Sequence, residues 1–230
     1  MVVKAGVPRE VKMSANPVEQ LKPLNIKCTS TNCANNLHCF LLSKKLLEKG
    51  PAGRCRSCGA ELVDWARVHK KDVLDVKYTF EAMRYELIRH HFWHIPLSEY
   101  AVNYARRKGK GALRLAANNQ IERAVRSPIH PRQGRQTPRE ANPKANAIHY
   151  AQHATASCCR RCLEEWHGIE RGRELSRKEI NYLTELAILY VEARITDLAE
   201  GPVQISRSGR VVGAKAGEAK GQSMELPHAS

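Results

Sequence analysis

Apolar positions recur at helical spacing through much of the chain. Between residues 76 and 95, Phe80, Met83, Leu87, Ile88, Phe92 and Ile95 fall on three- and four-residue steps, which predicts an amphipathic helix. Pro96 disfavours helical backbone at Ile95 and ends it. Two more helices are expected over 98–108 and 112–126, separated by Gly109 and Gly111. Residues 147–167 read as another, with Gly168 suited to its C-terminal cap. The clearest helical pattern follows Leu175. Ser176 and Glu179 have capping-box spacing, and Ile180, Leu183, Leu186, Ala187, Tyr190, Ile195 and Leu198 form one apolar stripe that Gly201-Pro202 stops.

The remaining segments lack this period. Residues 1–20 are polar and read as a flexible tail, 127–146 as a basic loop or linker, and 201–230, rich in Gly, Ala, Ser and Lys, as a disordered tail. Residues 21–75 hold the first five cysteines and read as a zinc-ribbon-like domain. Residues 76–126 then form a helical region and 147–200 a helical Cys/His domain. The expected fold class is mainly α, with a small β zinc ribbon near the N-terminus and a Cys/His metal site in the C-terminal helices.

Composition sharpens this picture in two ways. At 230 residues with 6% aromatic content, small cores reinforced by metal are favoured over one large core. No apolar run approaches the roughly 18 residues of a membrane span, and the first residues lack a secretory signal's apolar core. A cytoplasmic, reducing setting is therefore expected, in which eight clustered cysteines read as metal ligands or redox groups rather than disulfides.

The first cluster runs Cys28-x4-Cys33-x5-Cys39-x15-Cys55-x2-Cys58. Two thiolates two residues apart on a tight turn can share one ion, and Gly59 lets the chain fold back. Cys28, Cys33, Cys55 and Cys58 are the preferred ligands. Cys39 or His38 are alternatives for the upstream pair, and Cys39 beside Phe40 and Leu41 also suits a buried small hydrophobe. The second cluster holds His149, His153, Cys158, Cys159, Cys162 and His167 within one short segment. Its preferred set is His153, Cys159, Cys162 and His167, with Cys158 as the alternative thiolate. Two Zn²⁺ ions are expected. An iron–sulfur cluster or thiol-redox chemistry is a lesser alternative, because the second cluster has only three cysteines.

Two further patterns carry possible chemistry. Glu86, His90 and His94 lie at one-turn steps and could line a hydrolytic metal site, although histidines beside core aromatics are usually packed or hydrogen-bonded. The net charge is +15, and residues 106–144 carry eleven Lys/Arg against two acids. That density points to nucleic acid as partner, through Arg106, Arg107, Lys108, Lys110, Arg132 and Arg135. Three readings follow: a zinc-dependent nucleic-acid-binding (for example DNA-binding) protein, a metal-dependent enzyme acting on nucleic acid or a nucleotide, with Arg135 or Arg173 stabilising phosphate, and an iron–sulfur or thiol-redox protein.

RQGRQTP (132–138) and YAQHATASCCRRCLEEWHGIERGREL (150–175) add a resemblance. Gly134, Arg135, Gln136, Thr137, Pro138, Gln152, His153, Cys158, Cys159, Arg160, Cys162, Trp166, His167, Gly172 and Arg173 match the motifs of an uncharacterised bacterial domain of unknown function. Glu170 departs from that pattern, where a proline is expected. The resemblance covers roughly residues 130–200 and implies a domain boundary but no reaction. CTSTNCANNLHCF and CRSCGAELVDWARVH resemble a zinc ribbon only in general.

Overall fold

A computed structural model of the chain describes residues 26–41, 53–129 and 145–206, and the backbone of 211–214. The expected tail 1–20, most of the loop 127–146 and the end of the chain lie outside the described residues. Seven α-helices are described: α1 Trp65–His69, α2 Val76–Ala82, α3 Leu87–His94, α4 Glu99–Val125, α5 Ala147–Ala154, α6 Arg160–His167 and α7 Arg177–Arg194. Val203–Ile205 (β1) pairs antiparallel with Val211–Ala214 (β2), where an unstructured tail was expected.

The fold is built around α7. The capping box forms as its sequence predicts, with Ser176 accepting from the Glu179 N–H and Glu179 accepting from the Ser176 N–H. All seven residues of the predicted stripe are buried. Tyr182, Thr184, Ile188 and Val191 are buried too, so α7 is enclosed on nearly every side, and it packs against α2, α4 and α5. The helix ends at Arg194, earlier than the Gly-Pro stop. The guanidinium there donates to the carbonyls of Trp93 and Ile95, tying α7 to the end of α3.

Two interruptions shape the rest. Gly109 breaks α4 at the predicted place, with φ 67° and ψ 170°. A Cβ there would stand 2.3 Å from the Gly201 backbone, so the kink is where the chain after α7 crosses α4. The expected helix over 76–95 is also broken. A 3-10 turn at Met83–Tyr85 and an extended Glu86 (φ −90°, ψ 123°) separate α2 from α3.

No β ribbon forms among the described residues of 21–75. Turns, 3-10 segments, α1 and isolated bridges at Asn32–Leu37 and His38–Glu86 occupy that stretch. Nor does it have a core of its own. Phe40, Val63 and Val68 join the cluster that includes the helices, and Phe40 and Trp65 pack on Trp166 with ring centroids 5.7 and 5.1 Å apart. No described helix is long and apolar enough to cross a membrane.

Candidate metal centres

The first centre is assembled by two turns. A 3-10 turn at Cys33–Asn35, closed by left-handed Asn36 (φ 57°), brings the chain back so that Leu37 pairs with Asn32. The second turn runs from Cys55 to Ala60. The Gly59 N–H donates to the Cys55 carbonyl at 2.9 Å, and Gly59 takes φ +75°. Arg56 N–H donates to the Cys39 carbonyl at 2.9 Å and joins the turns.

The result is a tight group of Cys33, His38, Cys55 and Cys58, whose ligand atoms all lie within 4.8 Å of one another. Cys33 and Cys55 sulfurs are 3.7 Å apart, and Cys58 Sγ is 3.4 Å from His38 Nδ1. His38 Nε2 donates to Asn36 Oδ1 at 3.0 Å, which leaves the Nδ1 lone pair facing the thiols. This is how a second-sphere partner sets the tautomer of a ligating histidine. Of the preferred set, Cys33, Cys55 and Cys58 come together. His38, named only as an alternative, stands where Cys28 was expected. Cys28 is held elsewhere, its carbonyl accepting from the Cys39 thiol at 3.1 Å.

The protons at this centre are unevenly held. Burial and hydrogen bonds with Cys58 and Cys55 push the Cys33 thiol up to about 11. Burial would also raise Cys55, but backbone contacts at Cys58, Cys39 and Ser57, with His38, outweigh it and bring the thiol down to about 6. A cation bound here displaces the proton that Cys33 holds.

The second centre arises from a helix break. One helix over 147–167 was expected. The chain instead leaves helical geometry at Thr155, passes through left-handed Ala156 (φ 52°) and re-enters with Cys159 as the N-cap of α6. Buried Gln152, Thr155 and Ser157 brace the break, with Ser157 N–H donating to the Gln152 carbonyl at 2.8 Å and Thr155 Oγ1 lying 3.1 Å from Ser157 Oγ. Cys158, Cys159 and Cys162 meet as a tight group, and Cys158 and Cys162 sulfurs are 3.6 Å apart.

The predicted histidines do not join that group. His167 is fully buried, with Nε2 3.1 Å from the Thr155 carbonyl and Nδ1 3.3 Å from Tyr182 Oη, so both ring nitrogens engage the core. Burial brings it down to about 3, a neutral packing histidine. His153 stacks on Phe92, with centroids 4.9 Å apart. Cys158, held as the alternative thiolate, is in the set instead.

A buried cation faces these thiols. Arg89 is 3% exposed; its Nη2 donates to Cys162 Sγ at 3.2 Å, Nη1 to the His153 carbonyl at 2.5 Å, and Nε to Glu86 Oε2 at 3.0 Å. Trp166 Nε1 donates to the same Glu86 oxygen at 2.6 Å. A guanidinium beside sulfur stabilises a thiolate far more than a neutral thiol. Without a metal, hydrogen bonding with Cys159, with burial, raises Cys158 to about 12 against the opposing contact with Cys162, and hydrogen bonding with Cys158 and Cys159, with burial, raises Cys162 well above the usual thiol value. Cys158 and Cys162 would then stay protonated beside the buried Arg89–Glu86 pair. A bound cation would deprotonate them, and that donor set is the one Arg89 suits.

Both sulfur–sulfur separations fit one ion. Tetrahedral coordination at a metal–sulfur bond of about 2.3 Å places sulfurs about 3.8 Å apart. A four-iron cluster puts each thiolate on a different iron and needs them farther apart. All described cysteines are free, and 3.6–3.7 Å is far from a disulfide bond of about 2.05 Å.

Glu86, His90 and His94 do not form a site. The break before α3 turns Glu86 inward to Arg89 and Trp166, while His90 and His94 pack on each other with centroids 4.0 Å apart. Part of the basic stretch is paired among the described residues. Arg106 binds Asp197 at 2.6 Å, Lys110 binds Glu200 at 2.5 Å, and Arg114 binds Glu185. Lys108 lies over the Tyr104 ring and Arg107 is exposed. Arg132 and Arg135 lie outside the described residues. Arg160 is buried and donates to the carbonyls of Val125, Glu170 and Arg173. Arg173 pairs with Glu179.

The fold and its two thiol clusters thus define a mainly helical protein able to hold metal ions at two Cys-rich centres. Residues 77–192 match the family described as Domain of unknown function (DUF4186), and the chain belongs to it. The match takes in the second centre and begins after the first in the chain. No solved structure matches the chain.

Proposed function

We propose that the protein is a zinc-binding scaffold in which two zinc ions hold irregular chain segments in place. The observation that carries this reading is His38, aimed by Asn36 with Nδ1 toward three thiols. Three sulfurs and one imidazole are a closed structural set for zinc, with no open position for substrate. The described residues of 26–75 have little regular structure, so a metal supplies order that hydrogen-bonded ladders do not. The test is elemental analysis with chelation. Zinc removal should lower the unfolding midpoint and loosen this segment in hydrogen exchange. A chain equally stable and equally protected after complete chelation would sink the reading.

Nucleic-acid binding is the second reading. Its support is the net charge of +15 and the exposed Arg107. The pairs at Arg106, Lys110 and Arg114 offset part of the positive field, but exposed pairs contribute only about 0–1 kcal/mol and could exchange for phosphate. It predicts affinity for DNA or RNA that falls steeply with salt, and that weakens in an Arg107/Arg132/Arg135 triple alanine variant. Unchanged binding in that variant removes it.

A further inference from the structure

The second centre brings together three sulfurs, one donor short of a closed tetrahedron. Among the described residues, four side chains near it could act as donors to a metal. Glu86 is committed to Arg89 and Trp166, and Glu165 to Arg161 at 2.9 Å. His153 lies on Phe92, with the His149 ring 4.8 Å away on an edge-to-face contact.

The fourth is Cys28, 130 residues earlier in the chain than Cys158. It sits in the turn at Lys27–Ser30, half-buried against the common core. The buried Cys39 thiol donates to its carbonyl and pins that turn. A hydrogen-bonded path leads from that turn to the second centre: His38, next to Cys39, pairs through its backbone with Tyr85 and Leu87 on either side of Glu86, Glu86 accepts from Arg89, and Arg89 donates to Cys162 at 3.2 Å. Consistent with that placement, Arg89 and Arg161 act electrostatically on both Cys28 and Cys162. Cys28 stands outside the first centre, and no helix restrains it.

We infer that Cys28 is the fourth ligand of the second centre, closing a four-thiolate site with Cys158, Cys159 and Cys162 around one zinc-class ion. Cys28 lies beyond the tight group of three, so closure draws the turn at residues 27–30 inward. The inference rests on the reading of the second cluster as a metal site. It makes residues 26–41 a strap with ligands on both ions: Cys28 on one, Cys33 and His38 on the other. It also extends the second centre outside residues 77–192, so the region matched by the family would be completed by the segment before it. A four-thiolate site is closed and structural, whereas three thiolates with an open position could serve catalysis.

The experiment is chelator competition on the full-length, zinc-loaded chain. The wild type should bind two zinc ions tightly, and Cys162→Ser one. Cys28→Ser should weaken one of the two by more than the 10–100-fold that loss of a second-sphere partner brings. Cys28→His should restore much of that loss, and His153→Ala should leave both sites intact. Tight binding of two ions by Cys28→Ser, while Cys162→Ser keeps one, would overturn the inference and leave the metal reading standing. Two tight ions in Cys162→Ser would remove the second centre itself. Should Cys28→Ser fail to fold, alkylation of the wild type decides. Zinc should protect Cys28 together with Cys158 and Cys162, and labelling of Cys28 at the same rate with and without zinc would overturn the inference.

Discussion

The two centres gather similar donors in opposite surroundings. The first is made by two turns in a segment with little regular structure, and its Cys58 is exposed. The second is made by a break between two helices, under a core that contains Arg89, Glu86 and Trp166 at 2–3% exposure. Without metal, the first centre leaves partly hydrated thiols. The second leaves Arg89, paired with Glu86, beside protonated Cys158 and Cys162 in the core. The same chemistry therefore supports a segment in one place and is part of the core in the other. Backbone pairing connects them: His38 N–H donates to the Tyr85 carbonyl and Leu87 N–H to the His38 carbonyl, on either side of Glu86.

The largest expected effect tests the buried end of that contrast. Arg89→Met removes the partner of Glu86 and the donor to Cys162, leaving a buried carboxylate uncompensated. It should cost about 3–5 kcal/mol in urea unfolding. A cost under about 1 kcal/mol would mean that the second centre is no more integral to the core than the first. Next in size is removal of one ligand from each centre. Cys162→Ser and Cys58→Ser should each lose one zinc, but Cys162→Ser should lower the unfolding midpoint more. Equal midpoints would erase the distinction. A smaller change sharpens the first centre alone. Asn36→Ala frees the His38 ring without removing a ligand, and should weaken zinc there about 10–100-fold with the helices intact by circular dichroism.

How much of this is legible in the sequence differs between the two regions. Helix positions were readable where one local rule decides: Gly109 for the kink, the Ser176/Glu179 box for the start of α7, Gly168 for the end of α6. The break at Thr155–Cys159 was not, because helical period runs through it and the local side-chain bonds of Gln152, Thr155 and Ser157 that hold it have no sequence signature. The break brings Cys158 and Cys159 together onto Cys162, where one continuous helix would set them on different sides. In the first centre, cysteine spacing identified Cys33, Cys55 and Cys58. His38 displaced Cys28 for reasons of strand pairing with Tyr85–Leu87, which spacing cannot encode. His38 followed by a buried Cys39-Phe40 was the available signal.

The smallest expected effect concerns pH and lies away from both centres. Burial alone would raise the Glu179 carboxyl, but the Arg173 fork and the Ser176 donors outweigh it and hold it down at about 2. Its folded value lies below its unfolded one, so its contribution is complete above the usual carboxylate range and is lost as pH falls toward 2. Wild type should therefore lose more stability than Glu179→Gln between pH 5 and about 3. Parallel losses would assign the acid sensitivity elsewhere, with metal release through thiol protonation the first alternative.

The central claim is that both clusters hold metal, and the most direct measurement is elemental analysis of the purified chain together with its visible absorption spectrum. The account predicts close to two zinc ions per chain and no visible colour. A metal-free chain, or iron with visible absorbance, would contradict it.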